Sequence, residues 1–257
     1  MQEDFIDVTE FPDQIVPLEQ VKRLNHRYIW ASSFCEGKDI VEVACGSGYA
    51  LNFLKEKCAT IEAGDFSPAI VKIAKQNTLE SIDILQFDAC KMPYQNNSKD
   101  IIIIFEAIYY LDDFTSFINE AERVLRPGGQ ILIATANKDL YDFNPSPHST
   151  RYFGVTELNS IFLDRGWDVS FFGFLSTNEV SIRQKLFRPI KKLAASLNLI
   201  PDSMDGKTFL KKIVFGKSMP LPSQLDPELF PYDSPISLEK NKKNQEFKVI
   251  YCRAKRK

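Results

Sequence analysis

Glu42, Gly46 and Gly48 fall close together in Ile40-Val41-Glu42-Val43-Ala44-Cys45-Gly46-Ser47-Gly48-Tyr49-Ala50-Leu51, where an apolar β-forming run meets a glycine turn. Glycines let a backbone turn tightly and approach a ligand closely. The start of a following helix offers unpaired N–H groups and partial positive charge. Together these features describe a cradle for a nucleotide-like cofactor. Two residues narrow the ligand. A dinucleotide fingerprint wants a third small residue where this chain has Leu51. Glu42 lies inside the apolar run, where a carboxylate is costly unless it faces a polar ligand or donors. It would repel a pyrophosphate and accept a cation.

A second group of reactive side chains follows the isoleucine run 101–104, in Phe105-Glu106-Ala107-Ile108-Tyr109-Tyr110-Leu111. A third lies in Asn144-Pro145-Ser146-Pro147-His148-Ser149-Thr150-Arg151-Tyr152-Phe153. A hydroxyl that is to be alkylated needs a base near neutral pH. His148 suits that role by its chemistry, with Glu106 and Tyr110 as the other catalytic candidates. Arg151 and Tyr152 are candidates for binding substrate or for pinning the loop. The five cysteines (35, 45, 58, 90 and 252) form no CxxC pair, and His26 and His148 are the two histidines, so no metal site is expected.

These residues need elements to position them. Val21, Leu24, Tyr28 and Ala31 recur at helical spacing, which predicts an N-terminal helix over 18–34 with His26 at its surface. Strands are predicted at 39–45, 59–64, 82–87, 100–105, 130–136, 167–174 and 246–252. Helices are predicted at 48–58, from Ser67-Pro68 onward, from Asp113 to 125, and at 156–165. The isoleucine run does not alternate with polar residues, as befits a strand buried on both faces. Such βα alternation predicts an α/β fold, Rossmann-like and doubly wound, with a mostly parallel seven-stranded sheet. Ligands then bind at the carboxyl ends of the strands. Residues 176–245 break the rhythm and read as an insertion before the last strand, first basic and helical with a kink at Pro189, then proline-rich. The expected organisation is an N-terminal cap (1–35), a cofactor-binding core (36–175 with 246–257) and this insertion, a substrate cap or interface.

In this order the motifs resemble those of class I S-adenosylmethionine-dependent methyltransferases, of the type 11-like kind, over residues 36–175. Arg123-Val124-Leu125-Arg126-Pro127-Gly128-Gly129 resembles that family's structural turn before the fifth strand. The resemblance implies S-adenosylmethionine as cofactor, held by Glu42, Ala44, Gly46 and Gly48. It implies that Asp65 accepts from the ribose hydroxyls, that Phe66 packs on the adenine, and that Asp88 takes the adenine amino group with the Ala89 N–H nearby. Phe105 would stand beside the methyl donor, and Tyr28 would reach the cofactor from a lid-like helix. Many similar enzymes have Glu-His where this chain has Tyr109-Tyr110, so a base and any metal ligation are missing there.

The net charge of −2 conceals an asymmetry. Residues 179–217 carry nine Lys/Arg against three acids, and residues 247–257 carry five basic residues and no acid, which leaves −13 on the remainder. A basic insertion suits an anionic acceptor or surface contact. The loop and insertion together resemble methyltransferases that modify bacterial sugars and surface glycans. The expected function is therefore O-methylation of a sugar, glycan or other small-molecule hydroxyl. The alternatives are N-methylation of an amino sugar or small amine, and a non-catalytic cofactor-binding regulator. The Asn/Asp-Pro-Pro-Tyr signature of base-amino methylation is absent after the fourth strand, so nucleic acid is not an expected partner. No secretory signal and no membrane-spanning run is read, which points to the cytoplasm, and a homodimer is a further expectation.

Overall fold

The computed structural model describes residues 5–177 and 217–257. The helical expectation for 186–197, the kink at Pro189 and nearly all of the basic stretch 179–217 lie outside those residues. The described elements are β1 (Ile15–Pro17), α1 (Leu18–Ser32), β2 (Asp39–Val43), α2 (Leu51–Lys55), β3 (Thr60–Asp65), α3 (Pro68–Asn77), β4 (Asp83–Gln86), β5 (Lys99–Phe105), α4 (Phe114–Val124), β6 (Leu125–Ala136), α5 (Val155–Leu163), β7 (Asp168–Ser176), β8 (Ser218–Pro220), β9 (Ile236–Leu238) and β10 (Phe247–Lys255).

The main sheet has eight strands in the order β4-β3-β2-β5-β6-β10-β7-β9, one more than the seven expected. The added strand is β9, three residues paired antiparallel to β7 at the edge. The first five strands are mutually parallel. β10 runs antiparallel between β6 and β7, so the 176–245 stretch does connect two neighbouring strands. β1 and β8 form a separate antiparallel pair.

The isoleucine run shows why both faces had to be covered. Ile101 and Ile103 pack with residues of α1, α2 and α3, whereas Ile102 and Ile104 pack with α4 and α5. All four are fully buried, each contributing roughly 1.5–3 kcal/mol of apolar transfer. Helix starts follow local chemistry. Ser67 accepts from the Ile70 N–H with Pro68 at the first helical position, and Asp113 accepts from the Thr115 and Ser116 N–H groups.

Two expectations are corrected. The helix after the glycine turn is five residues long and begins at Leu51 rather than at Gly48, because Ala44, Gly46 and Gly48 all take left-handed φ values (54°, 56° and 74°). His26 is buried rather than at the surface. Its Nδ1 meets the Tyr251 hydroxyl at 2.8 Å, its Nε2 meets the Asp233 carbonyl at 2.7 Å, and its ring stacks on Phe174. Burial pushes its pKa down to about 4. The cause is that Phe174 and Tyr251 of the sheet cover this ring on one side and Tyr232 and Asp233 of the proline-rich stretch on the other. Leu221 and Leu225 enter the core, and Asn25 Nδ2 donates to the Asp226 carbonyl.

Candidate active site

A cavity of about 820 Å³ opens at the carboxyl ends of the parallel strands. The loop after β2 supplies one wall through Ala44 to Ser47. Asp65 and Phe66 follow from β3, and Asp88 and Ala89 from the turn after β4. Phe105 and Glu106 come from the end of β5. Tyr28 looks in from α1, and Ser146, His148 and Thr150 stand at the rim. Thus Tyr28, Ala44, Gly46, Asp65, Phe66, Asp88, Ala89, Phe105, Glu106, Tyr110 and His148 share one cavity, although they span 121 positions of sequence.

Glu42 and Gly48 stand behind that lining. Glu42 is fully enclosed; one oxygen accepts the Tyr28 hydroxyl at 2.6 Å and the other has no partner. Burial lifts its carboxyl to about 7, against the downward pull of the Tyr28 hydroxyl and the Arg27 charge. Gly48 has a packing reason to be glycine: a Cβ there would come within 2.8 Å of the Thr78 methyl. Asp65 bridges two chain turns, accepting the Gly46 and Ser67 N–H groups at 3.1 Å each. Burial raises its pKa while those backbone donors oppose the rise. Each of its oxygens keeps a second lone pair for a ligand. Asp88 accepts from the Cys90 N–H at 2.8 Å.

On the opposite side, Glu106 sits in a left-handed conformation (φ 51°) with its N–H on the Ala134 carbonyl at 2.7 Å. Such a strained non-glycine residue at a cleft is a recurrent feature of functional sites. Its Oε2 accepts the Tyr109 hydroxyl at 3.0 Å, and its buried Oε1 has no hydrogen-bond partner. Tyr109 stacks on Tyr152 at 4.2 Å, and the Tyr110 hydroxyl meets Ser146 Oγ at 2.6 Å. These contacts tie the rim loop to the segment after β5. Tyr152 therefore pins the loop, accepting the Ser146 N–H at 3.0 Å. The Arg151 side chain is largely exposed and lies 3.7 Å from Glu157. His148 is partly exposed, its Nε2 3.0 Å from the Asp7 carboxylate.

The sequence reading missed Phe5, Thr9, Glu10 and Arg27, all of which line the cavity. Arg27 is buried, with its guanidinium 3.6 Å from Glu10 and 3.9 Å from Glu106, and its Nε has no partner. Its one available signal was a cation beside Tyr28, one position off the apolar stripe. Among the described residues no group of three or more His, Cys, Asp or Glu is arranged to hold a metal.

The glycine cradle and the Asp65, Asp88 and Glu106 carboxylates on the cavity suit a nucleoside cofactor that carries positive charge and no phosphate. Fold and site together resemble those of class I S-adenosylmethionine-dependent methyltransferase domains. Residues 41–133 match the family model described as a methyltransferase domain. A probable S-adenosylmethionine-dependent methyltransferase of Mycolicibacterium smegmatis is 29% identical over 152 residues, 58% of this chain and 56% of that protein. A phthiotriol/phenolphthiotriol dimycocerosates methyltransferase of Mycobacterium leprae is 32% identical over 134 residues, 49% of this chain and 50% of that protein. The chain thus spans about half the length of the curated relatives it matches. The YcgJ protein of Bacillus subtilis shares the fold, with a TM-score of 0.60 at 15% identity over 91% of this chain and 99% of that one.

Proposed function

We propose that the protein methylates a hydroxyl of a small molecule, a sugar or glycan hydroxyl among them, with Glu106 as the general base. The observation that carries this reading is the Glu106 carboxylate itself, which lines the same cavity as the glycine cradle, with Oε2 held by Tyr109 and Oε1 lacking a hydrogen bond and 3.9 Å from the Arg27 guanidinium. A hydroxyl must lose its proton as it attacks, so a positioned carboxylate is the group such an acceptor needs. Tyr109 holds the other oxygen and fixes the carboxylate plane. When bound, S-adenosylmethionine supplies the electrophilic methyl carbon; the chain's part is to align the acceptor and exclude water.

Asp65 and Asp88 are proposed to hold the ribose and adenine, Phe66 to pack on the base, and Glu42 to face the cofactor's positive charge together with the Tyr28 hydroxyl. A second reading, N-methylation of an amino sugar or small amine, draws on the charge of the lining. Glu10, Asp65, Asp88, Glu106, Asp112 and Asp113 face Arg23 and Arg27, a balance that favours an ammonium. The same acidic lining opposes a nucleic-acid phosphate backbone. No helix among the described residues is long and apolar enough to cross a membrane. The five unpaired cysteines support a reducing compartment such as the cytoplasm.

Calorimetric titration with S-adenosylmethionine, S-adenosylhomocysteine, NAD and NADP tests the cofactor assignment. Micromolar binding of the first two without the dinucleotides is expected. Dinucleotide binding alone would overturn it.

A further inference from the structure

Residues 5–10 precede every motif in the sequence, yet Phe5, Val8, Thr9 and Glu10 line the cavity. The stretch is a single 3-10 turn, Ile6–Val8, closed by its own bonds: the Val8 N–H and the Thr9 hydroxyl both donate to the Phe5 carbonyl, at 3.2 and 2.8 Å. None of the turn's side chains is buried, so it contributes nothing to the core. Phe5 nevertheless takes a left-handed φ of 51°, a conformation that a bulky residue keeps only when its surroundings fix it. Its ring lies edge-on to Phe66 at 6.4 Å and against Tyr110 at 5.3 Å. It therefore bridges the residue assigned to the adenine and a tyrosine on the acceptor side. The Thr9 methyl lies above the glycine loop, 3.7 Å from where a Cβ on Gly46 would stand. Two side chains moor the stretch. Glu10 accepts from Gln20 at 2.6 Å beside Arg27, and Asp7 meets His148 at 3.0 Å, with the His148 ring edge-on to Phe5.

We propose that residues 5–10 are a wall of the cofactor site, that Phe5 retains the cofactor, and that His148 is a positioning residue acting through Asp7. The inference rests on the cofactor reading above. It gives His148 a role that needs no proton transfer: it moors the wall that carries Phe5. The wall has one short turn and two side-chain moorings, so it can lift to admit the cofactor without disturbing the sheet.

The test is the rate at which S-adenosylhomocysteine dissociates from the full chain, followed by stopped-flow displacement. Phe5→Ala is expected to speed dissociation about tenfold, the scale of losing one aromatic contact at a buried ligand. Asp7→Asn and His148→Ala should each speed it about threefold, the scale of an exposed ion pair. The double variant should be slower than the product of the two single effects predicts, since both single variants remove the Asp7–His148 contact. His148→Gln keeps a donor for Asp7 and should restore a rate near that of the wild type. Because none of the three side chains is part of the buried core, melting temperatures should move little. Unchanged dissociation in Phe5→Ala, or an effect of His148→Ala that Asp7→Asn does not share, overturns the proposal. Failure of the wild type to bind S-adenosylhomocysteine would overturn the cofactor reading itself, and the wall with it.

Discussion

The wall made by residues 42–48, 65–66 and 88–89 is shaped by backbone. Left-handed residues turn the chain after β2, and Asp65 clamps two of the turns through main-chain N–H groups. The facing wall of residues 5–10, 27–28 and 106–110 is shaped by side chains. Arg27 lies between Glu10 and Glu106, and Asp7 meets His148 across 141 positions. Backbone turns leave a compact signature in the sequence, because they demand glycines and short polar residues at fixed offsets. Side-chain meetings over such separations leave none, because each partner alone reads as an ordinary charged residue. The first wall offers features common to any ligand of the cofactor's class. In the proposed function, Glu106 and residues 109–110 of the second wall handle the acceptor and its proton, while residues 5–10 and Tyr28 of that wall border the cofactor.

Substitutions at Asp65 on the first wall and at Glu106 on the second should therefore separate cofactor affinity from turnover. The largest effect is expected from Glu106→Gln, which keeps shape and removes the base: turnover should fall about 10²–10⁴-fold with S-adenosylhomocysteine affinity unchanged. Undiminished turnover in that variant would move proton acceptance elsewhere and favour the amine reading. On the other wall, Asp65→Ala should weaken S-adenosylhomocysteine at least tenfold, about 1.4 kcal/mol or more, since it deletes charge-assisted bonds to the ligand and releases the Gly46 turn. Unaltered affinity with an intact fold would leave Asp65 a loop clamp only.

The same contrast governs how much of the molecule was legible. The parallel strands announced themselves through apolar runs and the turns between them, and the cofactor motif fell at the predicted strand ends. β9 and the β1–β8 pair did not, because three residues are too few to show a period of two. His26 was misplaced because the stripe of Val21, Leu24, Tyr28 and Ala31 describes one face of α1. His26 is covered by Phe174 and Tyr251 of the sheet and by a proline-rich stretch about 200 residues further on, which helical periodicity cannot see. Arg27 was missed for a related reason: its partners Glu10 and Glu106 come from segments far apart in sequence. Glu106 was visible as a carboxylate after β5, but its pairing with Tyr109 and Arg27 and its left-handed backbone are properties of the assembled site.

Glu42 belongs to the legible wall by sequence and to the side-chain wall by its bond to Tyr28, so it offers the smallest effect and the finest test of the contrast. Its carboxyl is lifted to about 7 because burial disfavours the charged form more than the Tyr28 hydroxyl and Arg27 favour it. A group whose folded pKa is raised favours the folded state while protonated, so this one should cost stability as pH rises from about 4.5 through 7. A cationic ligand beside it reverses the preference by stabilising the carboxylate. Binding should then release a proton below neutrality, and affinity for S-adenosylhomocysteine, whose one positive charge is its ammonium, should strengthen as pH rises toward about 7 and level off above it, by no more than about tenfold per pH unit. Glu42→Gln, which cannot titrate, should show a flatter profile between pH 6 and 8 and a ligand-free melting temperature less sensitive to pH. Parallel profiles in wild type and variant would place the cofactor's positive charge away from Glu42 and make the Tyr28 bond its whole role.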